Sequence, residues 1–279
     1  MSVFEAIFTF DFMLNAVIAS ILASIIASII GTIVIEKKLV MLTGGVAHTA
    51  FGGVGLGYLV GFEPILGGGI FAVISSLIIG KLRKNNDKLS DVFIAVFWSV
   101  GMALGTVFIS LSSGYAPDIT SYLFGNILTV TTFEIIALTI LAVITVTLFF
   151  TFKTYLAGYL FDEEFLTVRK VNVNLIETII NIIIALSVVV LIKVTGIILV
   201  LALLAVPSAT SMLVNKKFVG RVITSSIFGI VYCFIGIILS YEIGLPTGAT
   251  IIIISSIIYF IIKLIIKIKE NLGKNKAVA

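Results

Sequence analysis

The single histidine of this chain, His48, sits in a stretch with no charged side chain between Lys38 and Glu63. A titratable imidazole in such surroundings needs a polar cavity or a hydrogen-bond partner. Two roles fit: a structural donor to a neighbouring carbonyl, or a transient ligand or gate beside a polar path. Glu134 and Glu177 each lie a few residues inside the end of an apolar stretch. They read as solvated or structural carboxylates that reach the polar boundary. Asn15, Asn126 and Asn181 are plausible hydrogen-bonders between helices. One cysteine, Cys233, excludes an intrachain disulfide framework and any CxxC metal site. One His and one Cys cannot close a structural zinc site within one chain. No GxxxxGK[ST] phosphate loop, no HExxH pair and no paired aspartates within an apolar stretch occur. The chain by itself therefore has neither nucleotide-hydrolysing machinery nor that of a membrane metalloprotease or aspartyl protease.

The elements that hold these residues follow from composition. Hydrophobic residues make up 60% of the 279, only 11% are charged, and mean hydropathy is +1.27. Soluble domains carry about a quarter charged residues, so this much apolar surface needs lipid to cover it. The charge-free run 12–35 exceeds the roughly 20 residues that cross a bilayer, and it is too long for a signal-peptide core. Apolar stretches place spans near 12–35, 39–60, 64–80, 92–112, 131–152, 173–193, 196–214, 222–241 and 248–266. This predicts an all-α, polytopic transmembrane bundle of eight or nine spans, a single domain over 1–279. A bend instead of a crossing at Lys193–Gly196 would change the parity.

With the N-terminus outside and nine spans, 17 of the 18 Lys and Arg residues fall in cytoplasmic segments, and only Lys193 lies outside. The positive-inside rule predicts such a bias and puts the C-terminus in the cytoplasm of a cell-membrane protein. It also explains the pI near 9.1 without nucleic acid, because the basic residues are scattered between spans.

Glycines punctuate the spans. Gly53, Gly57 and Gly61 repeat every four residues, as do Gly101 and Gly105, while Gly44, His48 and Gly52 share another face of the second span. Small residues at this spacing let helix backbones approach closely in lipid, which predicts tight packing at Gly44, Gly52, Gly53, Gly57 and Gly61. The segment 112–131 is too polar to span and reads as an outer loop with a short helix dipping back toward the bundle. Two inner segments offer purchase for a partner. One contains Phe161, Asp162, Glu163, Glu164 and Phe165; the other is the basic turn Asn215–Arg221, with Lys216, Lys217 and Phe218.

Several stretches together resemble the permease family of zinc and manganese ABC importers. They are Gly44-Gly45-Val46-Ala47-His48 and the small residues after it, Tyr122-Leu123-Phe124-Gly125-Asn126-Ile127-Leu128, Phe161-Asp162-Glu163-Glu164-Phe165, Leu203-Leu204-Ala205-Val206-Pro207-Ser208-Ala209-Thr210, and Leu245-Pro246-Thr247-Gly248. The matches run in order from about residue 40 to 260. The resemblance implies a type II importer-like permease with no stably bound cofactor, its cargo a divalent metal ion. It implies an ABC ATPase on the cytoplasmic side, an extracytoplasmic metal-binding protein outside, and a second permease copy, giving a homodimer. It places the metal pathway or gate at His48 and Asn126. It places ATPase coupling first at Asn215, Lys216, Lys217, Phe218 and Arg221, then at Glu163, Glu164 and Phe165. Gly44 and Asn126 stand where the family has aspartates, so two carboxylate ligands are missing and manganese loses more than zinc. An ion-gradient carrier working alone is the alternative, but such carriers carry internal repeats and central charged relays, and neither is found in this sequence.

Overall fold

The computed structural model describes residues 3–85, 87–112, 119–125 and 127–278, and every regular element among them is helical. In chain order the helices are α1 (Val3–Thr9), α2 (Asp11–Glu36), α3 (Val40–Val60), α4 (Pro64–Asn85), α5 (Ser90–Leu111), α6 (Ile119–Phe124), α7 (Thr132–Phe161), α8 (Glu163–Val168), α9 (Val173–Thr195), α10 (Ile197–Val214), α11 (Phe218–Ile243) and α12 (Thr247–Val278). Single 3-10 turns lie at Asp87–Leu89 and Ile127–Thr129. Eight of the helices are long and apolar enough to cross a membrane. Helix α3, with 21 residues, is long enough as well, at about 31 Å. Its glycines and His48 dilute its hydropathy, and it can afford them because it meets protein where its neighbours meet lipid. Every residue from Leu42 to Gly55 is buried.

Contacts between helix ends sort the joints into two groups. At one end Arg221, which opens α11, pairs with Glu36 at the close of α2. There too Lys37 pairs with Glu163 of α8, Arg83 of α4 donates to the Lys37 carbonyl at 3.0 Å, and Lys84 lies 3.9 Å from Glu177 of α9. At the other end Gly125 abuts Gly196, Gly248 at the start of α12 abuts the Phe124 carbonyl, and Lys193 lies 3.9 Å from Glu134. Helices α9 and α10 thus start and finish at the first end, and the single residue Gly196 reverses the chain between them. Its φ of +79° is open to glycine and strained for other residues. Following the chain, α2, α3, α4, α5, α7, α9, α10, α11 and α12 alternate in direction, and Lys193–Gly196 is a true reversal.

Packing around α3 is set by glycine. A Cβ on Gly101 of α5 would lie 2.5 Å from the Thr49 Cα, one on Gly55 2.6 Å from the Gly105 carbonyl oxygen, and one on Gly52 3.0 Å from the Gly101 carbonyl oxygen. On the α4 side Gly53 lies directly against the Gly67 carbonyl, and a Cβ on Gly57 would meet the Pro64 Cα at 2.7 Å. Gly61 departs from the packing expected of it. It is the left-handed C-cap of α3, with φ +84°, and a Cβ there would find nothing within 4 Å. The four-residue repeat continues past the helix end, where the residue closes the last turn and meets no neighbour.

A second close seam runs along α2. Ser20, Ser24, Ser28 and Thr32 recur every four residues and are all buried. Ser24 and Thr32 donate to carbonyls one turn earlier at 2.7 Å, which satisfies the hydroxyls without charge. Across the seam Ser28 meets Ser226 of α11, Ser24 faces Gly229, and Gly31 abuts the Leu204 carbonyl of α10.

Candidate functional site

Residue His48 projects from α3 toward α5. Its Nδ1–H donates to the Gly44 carbonyl at 2.8 Å. A carbonyl can only accept, so in the neutral ring the proton is on Nδ1 and the lone pair is on Nε2. Among the described residues, Ser187 Oγ is the one fully buried side-chain polar atom without a partner, and no protein group bonds Nε2 of His48. Nε2 therefore keeps an open face, although the residue as a whole is only 8% exposed.

The ring is held from the side by Trp98 of α5. The two rings stack with centroids 3.9 Å apart and planes inclined by 19°. The indole also covers Gly44, where a Cβ would fall 2.8 Å from Trp98 Cζ3. One turn further along, Thr49 fixes α3 to α5 by donating to the Gly45 carbonyl at 2.7 Å and the Phe97 carbonyl at 3.1 Å. Beyond His48, the buried Phe51 meets Tyr122 of α6 with ring centroids 5.0 Å apart. The short helix α6 thus reaches back onto α3, and burial pushes its Tyr122 phenol above the ordinary range. Asn126 lies outside the described residues. No cluster of three or more His, Cys, Asp or Glu side chains that could hold a metal ion is present among the described residues.

The two segments expected to meet a partner are also placed. Helix α8 begins at Glu163 and is capped by Asp162, whose Oδ1 accepts from Phe165 N–H at 2.9 Å. Glu163 is engaged by Lys37, whose ammonium lies 4.0 Å from the Tyr159 ring centroid. Glu164 and Phe165 are exposed. The turn between α10 and α11 is three residues, Asn215 to Lys217, with Lys216 and Lys217 exposed. Asn215 organises it: Oδ1 accepts from Lys217 N–H at 3.2 Å, and the carbonyl accepts from Arg221 Nε–H at 3.0 Å. Phe218 anchors the turn against Phe149 and Phe161, at 5.6 and 6.1 Å between centroids. The turn and α8 lie on the same end of the bundle, joined through the Glu36–Arg221 and Lys37–Glu163 pairs.

Sequence reasoning did not find Trp98 or Glu36, and it named Tyr122 only as part of a longer stretch that resembles the permease family. Trp98 is the only tryptophan in the chain and stands in a charge-free run, which was a signal of sorts. Its contact with Gly44, 54 positions earlier, has no local signature.

Comparison with known proteins agrees with this architecture. Residues 9–266 match the ABC 3 transport family. The chain is 38% identical over 253 residues to an uncharacterised membrane protein of Synechocystis sp., covering 90% of each. It is 28% identical to the manganese transport system membrane protein MntC of Listeria monocytogenes, over 94% of this chain and 93% of that one. Among solved structures, PsaBC from Streptococcus pneumoniae in complex with Fab superposes with a TM-score of 0.84 at 25% identity, covering 93% of this chain and 94% of that one. The matched region takes in eight of the nine long helices and the first 20 residues of α12, and the chain belongs to the ABC 3 transport family, as a multi-pass membrane protein of the metal ABC permease type.

Proposed function

We propose that the chain is the permease subunit of an ATP-driven importer of divalent metal ions and that the ion passes His48 on its way along α3. The observation that carries this reading is the state of the imidazole. It is the only histidine, it is buried midway in the most enclosed helix, and its Nδ1 is committed to a backbone carbonyl while Nε2 stays open. A second-sphere hydrogen bond to Nδ1 is how metal-binding histidines are oriented. A transit site must also release its ion, and one imidazole with water and carbonyls binds more weakly than a closed cage.

Family membership and the surface at the Glu36–Arg221 end support the assembly proposed around the chain. An ABC ATPase docks on the end that carries Lys216, Lys217, Phe218, Glu164 and Phe165, and ATP is hydrolysed there and not by this chain. An extracytoplasmic metal-binding protein delivers the ion at the Gly125–Gly196 end, and a second copy of the chain completes the path as a homodimer. The complex sits in the cell membrane with the N-terminus outside, and no cofactor is held permanently. Close helix packing at Gly44, Gly52, Gly53 and Gly57 keeps α3 fixed against α4 and α5 while the path opens.

The test is uptake by the permease–ATPase complex in proteoliposomes. His48→Ala is expected to reduce zinc and manganese uptake at least tenfold while the complex still co-purifies. Unchanged uptake removes His48 from the path. Metal flux through the permease alone, with no ATPase, overturns the importer.

A further inference from the structure

The register of α3 puts position 44 one turn before His48. Residues four apart on a helix share a face, and this is the spacing at which a second side chain reaches an ion that the histidine holds. Position 44 is glycine, and the space a side chain would enter is filled: a Cβ there would lie 2.8 Å from Trp98 Cζ3. The same indole lies flat on the imidazole at 3.9 Å and 19°. One aromatic ring therefore excludes a second ligand and holds the first one still. The neighbouring position 45 is closed as well, because a Cβ there would meet Ile94 Cγ2 at 2.9 Å.

We infer that Trp98 determines which ion the site accepts, by excluding a ligand from position 44 and fixing the His48 ring with Nε2 open, which leaves a single-imidazole site without a carboxylate. This rests on the reading of His48 as a residue of the path. Imidazole suits zinc and similar borderline cations, whereas carboxylate oxygen suits manganese. The substrate class favoured is a divalent cation of the zinc type. Trp98 is a positioning and specificity-determining residue, since it acts through the ring it holds and the ligand it excludes.

The experiment uses the assembled permease–ATPase complex in proteoliposomes, with zinc or manganese chloride supplied singly and initial uptake rates measured for both. The unmodified complex is expected to favour zinc. Gly44→Asp alone should lose uptake of both ions at least tenfold, because the new side chain meets the indole. Gly44→Asp combined with Trp98→Ala should regain uptake and move the zinc-to-manganese ratio at least tenfold toward manganese, measured against Trp98→Ala alone. Trp98→Phe, which keeps an aromatic face on the imidazole, should keep the original ratio. Gly44→Asp behaving like the paired variant, or a paired variant with an unmoved ratio, overturns the inference. Should the paired variant fail to co-purify with the ATPase, the single variants decide. Trp98→Ala must then lower uptake at least fivefold relative to Trp98→Phe, and equal rates overturn the assignment. His48→Ala is run beside them. If it transports normally, the path reading has failed; if it is inactive while the ratio does not move, only the role of Trp98 has failed.

Discussion

Glycine does different work at different positions in this chain, and the space around each one decides which. At Gly53 the α4 backbone is so close that any side chain must push the two helices apart, since the obstruction is the Gly67 carbonyl and not a movable side chain. At Gly69, within α4, a Cβ meets nothing within 4 Å. The first position exists for interhelical contact, while the second carries only the backbone entropy penalty of glycine in a helix. Gly53→Ala is expected to destabilise the purified chain by about 1–3 kcal/mol, the usual cost of overpacking a close contact. Gly69→Ala is expected to be neutral or to stabilise by up to about 1 kcal/mol. Thermal unfolding of both variants in the same detergent checks the pair, and equal shifts would refute the assignment. The spacing of small residues in the second span was legible in the sequence because it repeats on a helical period. Which of them touch a partner was not, as Gly61 shows: its place in the repeat is regular, but α3 ends there and the residue serves the cap. Trp98 was illegible for a related reason, since its role comes from an α5 surface that no α3 periodicity encodes.

The three-residue joint between α2 and α3, together with the end of α2, connects helices and also collects charges from three others. Glu36 pairs with Arg221 of α11, Lys37 with Glu163 of α8, and the Lys37 carbonyl accepts from Arg83 of α4. The Glu36 and Arg221 side chains are only 11% and 17% exposed, so their attraction is poorly screened and either one left alone would be a largely desolvated charge. Both segments proposed to meet the ATPase therefore bear on the foot of α3, the helix that carries His48. Glu36→Gln is expected to cost about 2–4 kcal/mol of stability, and Arg221→Gln a similar amount. The double variant should cost clearly less than the two singles together, because no unpaired charge remains. Unfolding of the three variants measures this coupling, and strict additivity would show that the pair carries no net interaction. In the assembled complex, Glu36→Gln should also weaken the link between ATP hydrolysis and metal uptake. The apolar elements were readable from the chain because hydrophobic length announces a span. The pairing of their ends was not, since Glu36 and Arg221 are 185 positions apart and each looks locally like an ordinary flanking charge.

At the scale of the whole molecule the decisive quantity is direction across the membrane. Ion pairs and close glycine contacts divide the helix joints into two ends, and nine helices alternate between them. The end with Lys37, Arg83, Lys84, Lys216, Lys217 and Arg221 is rich in basic residues, while the other has Lys193 beside Glu134. Basic residues are retained on the cytoplasmic side during insertion, so the α10–α11 turn should face the cytoplasm and the α11–α12 turn the outside. The chain offers a clean background for testing this, because its one cysteine, Cys233, is completely buried and so out of reach of reagents. New cysteines at exposed Lys216 and Leu245 report on opposite ends of α11. A membrane-impermeant maleimide added to intact cells should label Leu245→Cys and leave Lys216→Cys unmodified, with the pattern inverted in inside-out vesicles. Labelling of both from one side would mean that α11 does not cross. An inverted result in intact cells would reverse the orientation and put the surface proposed for the ATPase, with the foot of α3, on the side that ATP does not reach.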